Sequence, residues 1–367
     1  MTGSMPRTAT ARTTRHLLGA LIALAILPVP SAALRAQRAD SAAFIVRLGR
    51  DTTAVERYVR TADRIEAVGL SRSPRTTVRR YTAWLTPDGG VARYALGREA
   101  EALSEATPAV AGAIPLNGQF FFTWELALMR AHRSGSDSTV VTMMSGNTPR
   151  PTTIRRTGPS AYALPNQFDV AMRARLDDRG RLQSVTVDGG TTVERLAWVD
   201  FDAMAREYAA RDAAGSGMGT LSPLENLRVT VSGAQIGVDY SRPSLRGRPL
   251  DMLVPPGAVW RTGANAATSI TTDRPLHFGS LAVPAGEYSI FTIPQANSWT
   301  LILNRQTGQS GLEHDAALDL GRVAMQVRTL DTPVEQFTIV VEPDGQGGVL
   351  RLRWGRTEAF IPFRVGG

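Results

Sequence analysis

The C-terminal part of the chain is written in short strokes. Apolar runs at 236–240, 267–272, 286–293, 299–304, 324–327, 336–342, 349–354 and 359–365 are separated by Gly, Pro, Asp and Asn. Runs this short, each closed by turn residues, are strand-length and not helix-length, and their cadence predicts a β-sandwich or jelly-roll-like domain over 224–367. Pro-Ala-Gly at 284–286 and Asp-Gly-Gln-Gly-Gly at 344–348 supply hairpin turns.

The preceding stretch, 39–212, reads as a β-rich α+β domain with one or two helices, which makes the whole chain mainly β. Segments 77–85 and 91–96 flank Pro-Asp-Gly-Gly, and 168–176 and 181–187 flank Asp-Asp-Arg-Gly, so each pair predicts a hairpin. Residues 118–133 read either as a helix or as a buried strand followed by a short helix. Residues 200–211 read as a helix capped by Asp200, with Phe201, Met204, Ala205 and Tyr208 on one face. A small, flexible run at 213–223, AAGSGMGTLSP, predicts the linker.

Residues 1–36 carry the pattern of an export signal: Arg7, Arg12 and Arg15, an apolar run at 17–27, then small residues with cleavage expected after Ala33 or Ala36. The run is shorter than the roughly 20 residues that span a bilayer. A periplasmic or secreted chain with no transmembrane segment after cleavage is therefore expected. Removing the signal lowers the formal charge from +8 to +4, and from Glu225 onward thirteen arginines meet thirteen acids. No basic block remains, which argues against a nucleic-acid partner.

Composition excludes several chemistries. The chain has no cysteine, so disulfides, zinc-thiolate sites and thiol nucleophiles are ruled out. It has no lysine either, which removes Schiff-base catalysis and the phosphate-binding loop ending in Gly-Lys-Ser/Thr. His132, His277 and His314 are scattered, without metal-ligand spacing, so neither metal nor other cofactor is expected. Glu313, His314 and Asp315 form the one cluster of acids around an imidazole, and they support an alternative reading as an envelope hydrolase or metal site. There is no Gly-x-Ser-x-Gly elbow. Phe120, Phe121, Phe122 and Trp124 support a further alternative, a lipid or hydrophobic-ligand carrier in the first domain.

The segments DYSRPSLRGR (239–248), LVPPGAVWRTGANAAT (253–268), LAVPAGEYSIFTIP (281–294) and WTLILNRQTGQSG (299–311), with the closing run 335–365, resemble in order and spacing the bacterial domain-of-unknown-function family 2911. The resemblance covers roughly 225–365 and implies an exported, β-rich protein without an assigned activity. It also implies an aromatic residue at 310 and an acid at 266, where this chain has Ser310 and Ala266.

Within those segments Tyr240, Arg242, Trp260, Arg261, Thr262 and Asn265 are the candidate ligand-binding residues. Arginine forks suit carboxylate or phosphate, and the aromatic faces suit a sugar or lipid chain. The competing reading is architectural: a buried arginine ties the carbonyls of a long connection together, with Gly263 taking a positive φ. No base or nucleophile stands beside these groups. A non-catalytic binding or interaction module of the cell envelope is therefore expected, with a small molecule, glycan or lipid as partner.

Overall fold

The computed structural model describes residues 40–366 apart from 100, 119, 167 and 168. The export signal and its cleavage point lie outside the described residues. Strands hold 57% and helices 10%, so the fold is mainly β, as expected. It is organised as two large sheets.

The first sheet begins with β1 (Asp40–Leu48), β2 (Asp51–Arg60), β3 (Arg64–Ser71), β4 (Thr77–Leu85), β5 (Val91–Arg98) and β6 (Ser104–Ala106). The chain then crosses to the far edge through β7 (Ile114–Leu116), helix α1 (Phe122–Ser134) and β8 (Ser138–Ser145). It returns by β9 (Thr148–Gly158), β10 (Ala161–Pro165), β11 (Ala171–Leu176), β12 (Leu182–Val187) and β13 (Thr191–Leu196). The order β6-β5-β4-β3-β2-β1-β13-β12-β11-β10-β9-β8-β7 places the first and last strands side by side at the centre, with Phe44 opposite Arg195. Every pairing is antiparallel except β7 with β8. Both predicted hairpins are present, as β4–β5 and β11–β12.

One face of this sheet buries α1. Phe120, Phe122, Trp124, Leu126 and Leu128 pack against Phe44, Tyr58, Tyr81, Met143 and Val185. The aromatic run that suggested a hydrophobic carrier is thus occupied by core packing, with Phe120 and Phe122 each 1% exposed. Helix α2 (Phe201–Ala213) lies on the opposite face, where Phe201 and Tyr208 cover Ala43, Ile45, Val55 and Leu70. Its cap is the expected one: the Asp200 carboxylate accepts the Ala203 N–H at 3.0 Å.

The second sheet comprises β14 (Leu224–Val231), β15 (Ala234–Ser241), the one-turn α3 (Leu250–Leu253), β16 (Thr268–Thr272), β17 (Leu276–Phe278) and β18 (Leu281–Val283). It is completed by β19 (Gly286–Pro294), β20 (Ser298–Asn304), β21 (Asp319–Asp344) and β22 (Gly347–Val365). The strand order is β14-β15-β16-β19-β20-β21-β22-β17-β18. The runs expected at 324–327 and 336–342 belong to one strand, β21, and those at 349–354 and 359–365 to β22. A break in the β21–β22 ladder between Thr329 and Thr338, opposite Gly355 at φ 58°, lets the hairpin bend without ending either strand. The bend folds the sheet over its own core of Trp260, Ile290, Leu301, Phe337, Leu352 and Trp354, a sandwich-like arrangement.

Candidate functional site

The connection from α3 to β16 carries the Trp-Arg-Thr-Gly-Ala-Asn segment. Trp260 exchanges both backbone hydrogen bonds with Thr292 of β19, at 2.7 and 2.8 Å. This turns its indole inward, where it stacks on Trp354 at 5.8 Å and meets Phe337 and Trp299 edge-on. Thr262 is fully buried, with its hydroxyl 3.2 Å from that of Thr292 and its carbonyl accepting the Thr268 hydroxyl at 2.7 Å.

The backbone of this turn differs from expectation. Thr262 and Asn265 hold the positive φ angles, 54° and 62°, while Gly263 does not. Glycine at 263 eases a close approach instead: a Cβ there would lie 3.0 Å from the Thr268 hydroxyl and 3.1 Å from the Ser241 carbonyl oxygen, a tight fit. Arg261 lies over Gly311 and donates from Nη1 to the Asn265 carbonyl at 3.2 Å. Burial lowers the pKa of its guanidinium. That same carbonyl accepts the Gly311 N–H at 3.0 Å, and Ala266 bridges Ser310.

Tyr240 and Arg242 engage a different element. The buried Tyr240 hydroxyl accepts the Ile339 N–H at 2.9 Å. Arg242 donates to the Phe337 carbonyl, the Thr338 hydroxyl and Glu225. These bonds fall where the β21 ladder resumes after its interruption, so Tyr240 at the end of β15 and Arg242 just beyond it give partners to the backbone of Phe337 and Ile339. Tyr240 and Trp260 meet through Phe337, whereas Arg261 and Asn265 meet Gly311 and Thr262 is tied to Thr268 and Thr292. The six residues therefore form two clasps around one aromatic core, and the faces of Tyr240 and Trp260 are turned away from solvent.

On the far side of Trp299 lies a cleft of about 430 Å³. Its floor is Leu250, Val254, Pro256, Trp299 and Val327, and Asp251 and Arg328 stand on its rim. Arg328 is ion-paired through Nε to the buried Glu358, which Arg353 also holds at 2.7 Å. Burial raises the Glu358 pKa, but the guanidinium hydrogen bonds outweigh it and hold the carboxyl below the usual range. Sequence reasoning missed this cleft because its walls come from α3, the β19–β20 turn and β21, which are far apart in the chain. Its one local signal was Trp299, in a segment already marked by the family resemblance.

His314 is hydrogen-bonded to Asp319 and not to its neighbours Glu313 and Asp315. Its Nε2 is 2.9 Å from Asp319, and its ring packs on Phe291 at 4.7 Å. Asp315 caps a 3-10 turn at Ala316–Leu318, and the Glu313 N–H bonds the Ser310 carbonyl. Burial disfavours the Asp319 carboxylate, yet hydrogen bonds from Asn304, Arg322 and His314 hold its pKa below the usual range. Among the described residues no group of three or more His, Asp and Glu is placed to hold a metal ion.

A second cluster, unforeseen from sequence, lies beneath α1. Glu125 is 2% exposed; it accepts the Tyr58 hydroxyl at 2.8 Å and Arg195 Nη1 at 2.9 Å, and Arg195 Nη2 reaches Asp40 at 3.0 Å. The fully buried Glu56 accepts the N–H groups of Phe121 and Phe122 at the start of the helix. Burial pushes the Glu56 carboxyl up to about 8 against the pull of those two N–H groups, and it raises the Glu125 carboxyl as well. Carboxyls and a phenol are groups fit for proton transfer, and the Arg195 guanidinium stands beside them as a fixed charge. Here they are enclosed by the helix and sheet, and their hydrogen bonds tether α1. The sequence signal was a single acid inside the apolar run FFFTWELALM.

A mainly β chain whose second sheet folds over an aromatic core is the class that these observations define. Residues 222–363 of it match a family model described as "Protein of unknown function (DUF2911)", in agreement with the resemblance read over 225–365. No curated protein matches the chain. Among solved structures, similarity extends to a polysaccharide lyase, Uly1, at 9% identity and a TM-score of 0.13. That match covers 85% of this chain and 56% of the lyase, a likeness too slight to bear on activity. No described helix is long and apolar enough to cross a membrane.

Proposed function

We propose that this chain is an exported, non-catalytic binding module of the bacterial cell envelope, and that its ligand site is the cleft floored by Trp299. The observation that carries the reading is the composition of that cleft: an apolar floor with one guanidinium, Arg328, one carboxylate, Asp251, and the amide of Gln295 along its rim. A pocket of this size, mostly apolar with few convergent polar groups, suits a small molecule held by its hydrocarbon body and oriented through one acidic group. Trp260, Tyr240 and Arg242 support it indirectly, by fixing Trp299, Phe337 and the bend of β21. Export is supported by the basic and apolar pattern of residues 1–36.

Ligand-observed NMR with a library of small aliphatic and aromatic carboxylic acids tests the reading. Binding should disappear in Thr329→Trp, which fills the cleft from an exposed rim position. Absence of any binder to the native chain, or binding that Thr329→Trp leaves intact, overturns it.

A further inference from the structure

Tyr162, Met172, Ala174, Val185 and Val193 face α1 in the first sheet, so the alternate residues of β8 to β13 form its outer face. Helix α2 covers that face over β1 to β3, with Val78 of β4 and Leu196 at the end of β13 on its margins. Across the bare half, the pairing registers align Ser138, Arg155, Ala163, Arg173, Thr186, Thr192 and Arg47 in one transverse row. Arg175, between Ala161 and Ser184, starts the row beside it. Arg155 and Arg173 are two strands apart, roughly 10 Å, with only an alanine methyl between them.

The small residues leave two adjoining troughs of about 480 and 400 Å³, which share Ala163 and Arg173. Arg173 pairs with Asp188 at 2.6 Å and Arg47 with Glu194 at 3.0 Å, both at the exposed surface. Arg155 and Arg175 are exposed and have no ion pair among the described residues. The face thus keeps two unpaired guanidinium groups, Arg155 and Arg175, on either side of the surface-paired Arg173, with the hydroxyls of Thr153, Thr157, Ser184 and Thr186 around them; the one carboxylate lining the troughs, Asp169, is ion-paired to Arg150.

We infer that this face binds an acidic polysaccharide lying across the strands, its carboxylates on Arg155, Arg173 and Arg175 and its hydroxyls on the threonine and serine side chains. Arginine forks match carboxylates in a bidentate way, and hydroxyl-lined troughs suit a hydrated sugar chain. Single-stranded nucleic acid requires aromatic platforms for its bases, and the troughs offer no aromatic face, since the Tyr162 ring is buried toward α1. A membrane surface requires an apolar belt, and on β8 to β13 the one large apolar side chain left exposed is Val140.

The test uses the full chain, with polygalacturonate as the probe and neutral dextran, duplex DNA and phosphatidylglycerol vesicles as comparisons. Polygalacturonate should be retained at low salt and released as salt rises. The double variant Arg155→Ser/Arg175→Ser, with an unchanged circular dichroism spectrum, should bind about tenfold more weakly or worse. Three results overturn the inference: no retention of polygalacturonate, retention that the double variant keeps, or equal binding of DNA or vesicles.

Discussion

At Gly311 the absence of a side chain is a packing requirement. A Cβ there would stand 2.2 Å from Arg261 Cδ and 2.7 Å from the Asn265 carbonyl oxygen. The arginine can move, but the carbonyl is part of the turn that Thr262 and Asn265 hold at positive φ, where non-glycine residues are costly. Gly311→Ala should therefore lower stability by about 1–3 kcal/mol in denaturant unfolding. Arg261→Ala, which removes one hydrogen bond to a carbonyl, should cost about 1 kcal/mol. An alanine at 311 that is tolerated as well as one at 261 contradicts this packing. The neighbouring departures from the family pattern, Ala266 and Ser310, are bridged to each other, so a small residue on one strand is matched by a small residue opposite.

Helix α1 shows how one element is held by groups that sequence patterns do not display. The residue before its first turn, Phe121, offers no capping side chain, and Glu56 of β2 takes that role across the core. Because the folded pKa of Glu56, about 8, lies above its ordinary 4.5, the folded state holds a proton that the unfolded state releases between those values. Stability from this group is full below pH 4.5 and falls as pH rises to about 8, with a slope of at most ~1.4 kcal/mol per pH unit. Glu56→Gln should flatten that slope in thermal unfolding followed across pH 4.5 to 8; a native slope of opposite sign rules the assignment out. Arg195→Met, which leaves Glu125 buried without its cation, should cost about 3–5 kcal/mol. The same element marks what was legible in the sequence. Local reading left α1 open between a helix and a buried strand with a short helix, but found the β4–β5 and β11–β12 hairpins and the capped α2, because each of those signals lies within a few residues. It cut β21 and β22 into pieces, because a bent strand and two strands look alike until the partner strand is known. It gathered Tyr240, Arg242 and Arg261 by chemical type, but their carbonyl partners at Phe337 and Asn265 are set by the sheet fold.

At the scale of the molecule, the two sheets have separate cores with no shared residue. They meet at a narrow seam made by the last residues of the DYSRPSLRGR segment. The Arg246 carbonyl accepts the Arg50 N–H at 2.9 Å, and its guanidinium pairs with Asp51 at 2.6 Å. Arg248 donates to Gly189 of the β12–β13 turn at 2.6 Å and to the carbonyls of Ser244 and Leu245. Gly49 admits this approach, since a Cβ there would lie 2.1 Å from the Arg246 carbonyl oxygen. Two hairpin tips of the first sheet are thus gripped by one short stretch of the second, and burial beside Arg246 lowers the pKa of the Arg248 guanidinium. Few contacts of this kind can still couple two cores, because each charge-assisted hydrogen bond is worth roughly 1.5–3 kcal/mol and separation takes the Gly189 carbonyl from Arg248 and Asp51 from Arg246. Calorimetry of the native chain should show one unfolding transition, and Arg246→Ala/Arg248→Ala should split it into two, with the second core unfolding separately from the first. A double variant that still unfolds in one transition, at a temperature close to the native value, would mean that the seam transmits nothing between the sheets.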